Sequence, residues 1–269
     1  MRKIFKIALT ELYTLFYSPI AWLILIIFTV QACMTYFRLV DIMLMQQFSR
    51  PLWYSIAKEM YTGSLGLFPN MLVHLYLYIP LLTMGLMSRE YSSGSIKLLY
   101  SSPVSSVQII FGKFLSMMIY SFILVVILVL FVGFTAWNVP SFDMSLALSG
   151  LLGIYLVICS YAAIGLFMSS LTSYQVVAAV ATLGALAFLN YVGRIGQEIP
   201  FVRDITYWLS ISGRSDELIN GLISSEDVFY FLIVIGLFLT LSIMVILSGK
   251  CKLSKSMAFT RYAGVIVLA

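Results

Sequence analysis

The chain has 269 residues, 61% of them hydrophobic and only 10% charged, with a mean hydropathy of +1.02 and a net charge of +5. Soluble domains are about a quarter charged, and no enlargement of a core accounts for so large a deficit, so most of this chain is solvated by lipid. A single histidine, three dispersed cysteines (Cys33, Cys159, Cys251) and the lack of a dense acidic cluster argue against a metal-dependent or acid/base enzyme and against a disulfide framework.

The pattern predicts an all-α membrane protein with six transmembrane helices, its transmembrane domain covering residues 1–256. Arg2 to Tyr17 is the first element. Ile4, Phe5, Ala8, Leu9, Leu12, Leu15 and Phe16 share one helical face, and Lys3, Lys6, Thr10 and Thr14 the other. That predicts an interfacial helix over residues 1–17 with its cations toward lipid headgroups. The basic start leads into this amphipathic stretch without a small-residue cleavage site, unlike a cleavable signal peptide. Ser18-Pro19 turns the chain, and 20–37 reads as span one. Residues 38–69 are too polar to span and are predicted to form short surface helices. Residues 70–87, containing His74 and Pro80, form span two.

Residues 107–134 form span three, with Lys113 near enough to its start to snorkel to the interface. Residues 146–168 form span four, Ser169 to Gln175 a tight polar turn, and 176–192 span five. Both spans are rich in small residues, which lets membrane helices approach closely, so they are the expected inner helices. The polar segment 194–227 is expected to hold two short re-entrant helices. Residues 228–247 form span six, and 257–269 read as the start of a seventh span cut short.

With the N-terminus placed inside, the inner segments carry ten cations and two acids and the outer ones six cations and nine acids, a balance of +8 against −3. Cations gather on the cytoplasmic side of membrane proteins, so this orientation is the expected one.

Between spans two and three lies a polar, turn-rich stretch, Met87 to Ser106. Gly94 interrupts it, Ser95 to Tyr100 reads as a short amphipathic helix, and Ser102-Pro103 stops that helix. The order is an acid (Glu90), a Gly-Ser pair (Gly94-Ser95), a leucine-rich helix, a Ser-x-Pro-Val-Ser type turn around Pro103, and Gly112-Lys113 at the start of the next span. This order and spacing resemble the signature of ABC-2 type permeases, and the resemblance extends over nearly the whole chain. Lys97 departs from the pattern, standing where the family often has an acid. The subgroup it most resembles is the gliding-motility type.

The resemblance implies a permease subunit of an exporter in the bacterial cytoplasmic membrane, multi-pass with its N-terminus cytoplasmic. It implies no enzyme activity and no cofactor in this chain, ATP and Mg being bound by a separate ABC ATPase; no G-x-x-x-x-G-K-[ST] motif occurs here. The implied partners are two ATPase copies, a second permease (homo- or heterodimer) and membrane lipid, with no nucleic acid. Arg89, Glu90, Gly94, Ser95, Ile96, Lys97, Leu98, Leu99, Pro103, Gly112 and Lys113 become the candidate ATPase-coupling residues. Arg89 and Glu90 could pair with the ATPase or with the N-terminal helix, or be solvated charges. The alternative function on the same fold is a non-transporting mechanical anchor acting on the cell envelope.

Other residues carry plainer expectations. His74 is read as a neutral histidine near the outer interface, and Gln31 and Asn190 as interhelical hydrogen bonds. Phe114, Met117, Met118, Tyr120 and Phe122 are read as packed or lipid-facing. Arg203, Asp204, Arg214, Asp216 and Glu217 are weighed as an external gate against a solvated face, the latter being commoner.

Overall fold

The computed structural model describes residues 2–45, 58–139, 142–192, 210–220 and 224–251. Among these residues the regular structure is helical, with no strand. Helix α1 spans Arg2–Tyr17 and α2 spans Pro19–Met45, with a single bend at Ser18 between them. Pro19 is the first residue of α2, where its missing N–H costs nothing and its fixed φ already suits a helix. The corner is pinned by the Trp22 indole, which donates to the Phe16 carbonyl at 2.8 Å while its ring meets Phe16 edge-on.

After a π-helical turn at Lys58–Thr62 come α3 (Leu67–Thr83), α4 (Gly85–Ser93), α5 (Ile96–Ser101) and α6 (Ser106–Asn138). Then follow α7 (Met144–Leu171), α8 (Gln175–Tyr191), α9 (Ile211–Ile219) and α10 (Ser225–Cys251). Two of these starts are capped by sequence. Ser105 and Gln108 form a reciprocal capping box on α6, and the Asp143 carboxylate accepts from the Leu146 amide at the start of α7.

Five stretches are long and apolar enough to cross a membrane: α2, the Lys58–Ser93 segment containing α3 and α4, α6, α7 and the Ser225–Gly249 part of α10. Helix α8 is apolar but only 17 residues long, roughly 25 Å at 1.5 Å per residue, against a hydrocarbon core of about 30 Å. The protein is therefore an all-α, multi-pass membrane protein.

Several expected boundaries move. Span one does not stop at Phe37: α2 runs on through exposed Arg38 and Asp41 to Met45, because nothing in that stretch breaks a helix. Residues 46–57 of the expected surface segment lie outside the described residues. Span two is divided at Met84, and its second piece, α4, takes in the first third of the polar stretch. The polar turn expected over Ser169 to Gln175 shrinks to Thr172–Tyr174, since Ser169 and Ser170 finish α7 and Gln175 starts α8. Of the segment 194–227 expected to hold two short helices, the described part contains α9, while residues 194–209 and 221–223 lie outside the described residues, as does the partial span at 257–269.

Helix α7 is the hub. It packs against α3, α4, α6, α8, α9 and α10, and most of it is buried. Its small residues make this possible. A Cβ at Gly150 would lie 2.5 Å from the Phe68 ring, one at Gly153 would lie 3.0 Å from Leu218, and one at Gly165 would collide with the Thr83 hydroxyl. The expectation that spans four and five are both inner helices holds only for α7. Small residues on α8 do not bury it: Val176, Val180, Phe188 and Tyr191 are exposed, and a Cβ at Gly184 would meet nothing within 4 Å.

Polar side chains stitch the remaining helices. The Thr135 hydroxyl of α6 bonds both Tyr36 of α2 at 2.9 Å and Tyr61 of the π turn at 2.6 Å. Gln31 accepts from Tyr78, and Asn190 bonds Tyr161, so both amides act as interhelical links as expected. His74 stacks on Tyr78. Phe114, Met117 and Tyr120 are buried, Met118 is half-buried and Phe122 is exposed, so the stripe is packing surface.

The glycine contacts on α7 define a test. Gly165→Ala should lower the thermal unfolding midpoint in detergent by an amount equivalent to about 1–3 kcal/mol, because the added methyl overpacks against Thr83. Gly184→Ala, which adds its methyl to open space, should leave the midpoint unchanged or slightly raised.

Candidate functional site

The polar stretch between α3 and α6 is where the sequence placed the candidate residues. Gly94 terminates α4 with φ 73°, a left-handed conformation that strains any residue with a side chain, and its amide bonds the Tyr91 carbonyl. The reversal starts α5 two residues later, and Ser102 closes it through its amide to the Leu98 carbonyl. Ile96, the first residue of α5, is buried, Leu99 and Tyr100 are half-buried, and Lys97, Leu98 and Ser101 are exposed, Leu98 at 74%. Tyr100 reaches the end of α10, where a Cβ on Gly249 would come 2.7 Å from its hydroxyl. The short helix is thus seated on its apolar side and open on the other.

The α4 segment that leads into it is held by a cluster of four charges from three helices. Lys113 of α6 is 1% exposed. Its ammonium meets Glu11 of α1 at 3.0 Å and Glu90 of α4 at 2.7 Å, and it donates to the Leu86 carbonyl at 2.6 Å. Glu11 also takes Arg89 of α4 at 3.1 Å. Two cations and two carboxylates leave the cluster neutral. An ammonium has three protons to donate, and here three acceptors surround it. Burial of this kind is tolerable only when each ion keeps a partner.

The snorkelling expected of Lys113 is therefore wrong. Its side chain turns inward because α1 lies across its route to the interface and offers Glu11. Gly112 explains how α1 comes so near: a Cβ there would lie 2.7 Å from Ile7 and 3.2 Å from the Ile4 carbonyl. The Gly-Lys pair of the motif thus serves as a landing site for α1. Arg89 pairs with the N-terminal helix, one of the two alternatives the sequence left open beside solvated charges, whereas Glu90 pairs with Lys113 of α6, a partner outside those alternatives. Ser95 lies at the start of α5, its hydroxyl bonded to Ser93, and the carbonyl of Pro103 accepts from Lys3 at 2.9 Å. Helix α1 is held at both ends, by Lys3 to the turn after α5 and by Glu11 to α4 and α6.

Glu11 was missed by the sequence reading. Its signal was present: it is the one acid in the first forty residues, and it falls on the apolar face with Ile4, Ala8 and Leu15. Beside it a cavity of about 270 Å³ opens between α1, α5 and α6, lined by Lys6, Thr10, Glu11, Glu90, Ser102 and Lys113 among others. The second carboxylate oxygen of Glu90 is buried there without a hydrogen-bond partner.

A second charge pair lies between α9 and α10. Arg214 and Asp227 are both buried and meet at 3.0 Å, with the Arg214 guanidinium over the Tyr230 ring at 4.9 Å. Arg214 is thus no part of a solvated face, while Glu217 is exposed. Arg203 and Asp204 lie outside the described residues, as does the side chain of Asp216. No group of three or more His, Cys, Asp or Glu able to hold a metal occurs among the described residues.

The fold and this cluster define a polytopic helical membrane protein in which a short helix, exposed on one side, is fastened at one end of the bundle to the N-terminal helix and to the next long helix. A family model described as ABC-2 family transporter protein matches residues 5–200, which takes in α1 to α8. The chain belongs to that family, whose members are the membrane components of ABC transporters and associate with an ABC ATPase. No curated protein matches the chain significantly.

The cluster predicts unequal costs for its members. Glu11→Gln breaks a buried pair and should destabilise the protein by about 3–5 kcal/mol. Arg89→Gln removes the half-exposed partner and should cost under about 1 kcal/mol. Thermal unfolding in detergent, with limited proteolysis of α1 as a second readout, checks the order.

Proposed function

We propose that the chain is the permease subunit of an ATP-driven exporter, and that the open face of α5 is where a separate ATPase docks. The observation that carries this reading is the contrast on α5 itself. Lys97, Leu98 and Ser101 are exposed, while Ile96 is buried and the charge cluster holds the adjoining α4. A 74% exposed leucine on a helix this well anchored suits a contact made by another protein.

In this reading the N-terminus and α5 are cytoplasmic, following the cation balance of the sequence. Two permeases and two ATPases form the working unit, and ATP and Mg bind in the ATPase. Closure of the ATPase pair pushes on α5. Gly94 joins α5 to α4, and the pairs of Arg89 and Glu90 pass the displacement to α1 and α6 at once. The element moved is a rigid body with two positions, as coupled transitions require.

Affinity capture of the chain from native membranes, with ATPase activity measured with and without it, tests the proposal. Leu98→Asp should assemble normally yet retain at least about tenfold less ATPase, since a charge on the docking face costs about 1.4 kcal/mol or more of binding. Gly94→Pro, which cannot adopt φ 73°, should keep the ATPase bound but uncouple its activity from transport in vesicles. Full retention and normal coupling in both variants would reject the reading.

A further inference from the structure

The α3–α4 break has a cause and a construction that none of the roles above uses. Met84 separates the two helices while keeping a helical backbone, with φ −53° and ψ −36° and its amide bonded to the Pro80 carbonyl at 3.0 Å. An unbroken helix would send the amides of Met87 and Ser88 to the carbonyls of Thr83 and Met84. Here both amides donate to the hydroxyl oxygen of Ser169, at 3.0 and 3.1 Å, and that hydroxyl donates to the Met84 carbonyl at 2.8 Å. Ser169 belongs to α7 and is fully buried. Its side chain is inserted into the hydrogen-bond ladder of a neighbouring helix, which is one of the few known causes of a sharp helix kink.

The two sides of the break differ. On one side α7 closes tightly, with Thr83 filling the space that a side chain at Gly165 would need, one turn before Ser169. On the other side a cavity of about 70 Å³ is bounded by Leu82, Met84 and Gly85 of the break, by Arg89, and by Glu11 and Thr14 of α1. A Cβ added to Gly85 meets nothing within 4 Å. The break is therefore latched from α7 and has room to shift on the α1 side. It also lies directly between the transmembrane part, α3, and the segment that carries Arg89, Glu90 and α5.

We infer that Ser169 is the positioning residue of the α4–α5 lever: its hydroxyl keeps the α3–α4 helix interrupted at Met84, and the lever's other state is the continuous helix in which Met87 and Ser88 return their amides to Thr83 and Met84. The purpose given to the motion rests on the lever reading above, but the two states belong to the permease alone. Removing the hydroxyl takes away the only side-chain oxygen bonded to the two amides, so the ladder gains by closing.

The test uses the full chain in lipid nanodiscs, with Cys33, Cys159 and Cys251 replaced by alanine and nitroxide labels on Val73→Cys in α3 and Ser92→Cys in α4, both exposed positions. Pulsed electron spin resonance reads the distance between them. The parent should show one dominant separation. Ser169→Ala should add a second one, from the continuous helix. Gly85→Ala, whose methyl enters open space at a residue that is helical in both states, is the control and should leave the distribution as in the parent. If Ser169→Ala leaves the parent's distance distribution unchanged, the inference fails. Such a failure would leave ATPase retention through Leu98 standing, and loss of ATPase binding by Leu98→Asp would leave the distance result untouched.

Discussion

The Lys113 ammonium, shut between Glu11, Glu90 and the Leu86 carbonyl, is the constraint on which this end of the molecule depends. An ion so placed in a low-dielectric setting cannot be left with fewer partners, because the attraction that holds it there is also what offsets its desolvation. The requirement is geometric. Helices α1, α4 and α6 must meet at one place to supply the acceptors, and Gly112 must be bare for α1 to come close enough. An amphipathic helix that might have floated in the interface is instead docked against the bundle.

The same cluster gives the short helix its mechanical character. A helix of six residues has little stability of its own. Helix α5 is held in place through its neighbours: Gly94 and the α4 charges on one side, Pro103 held by Lys3 on the other, Tyr100 against the end of α10. At the far side of α7, Arg214 and Asp227 fasten α9 to α10 in a comparable way, so the long helices are tied by buried ion pairs near α5 and again near α9. Between them the contacts are chiefly close packing on α7, where glycines replace the hydrophobic driving force that lipid does not provide.

Membership of the ABC-2 family and the geometry of α4 to α6 point the same way, by independent routes. One is a pattern of residues over 5–200, the other a physical arrangement of a seated and exposed helix. Neither names a cargo. The exposed apolar surfaces of α2 and α8 are those expected of helices in lipid or in contact with other helices, and they carry no chemistry that selects a substrate.

The sequence by itself determined the solvent, the helical class and the place of the break at Gly94. Those follow from local quantities: the run lengths of apolar residues, the conformational freedom of glycine, and the inability of proline to continue a helix. It also identified the motif whose family the chain belongs to, and the amphipathic character of α5. It misread Lys113, passed over Glu11, and treated α8 as a packed helix. The depth of Lys113 depends on a partner 102 residues away, and whether small residues on a helix are buried depends on which neighbour arrives. The insertion of Ser169 into the ladder of α4 is likewise invisible in one dimension, since a serine near a helix end is ordinarily a local cap. Tertiary structure decided these points because each depends on the energy of a pair, and the members of each pair are brought together only by the fold.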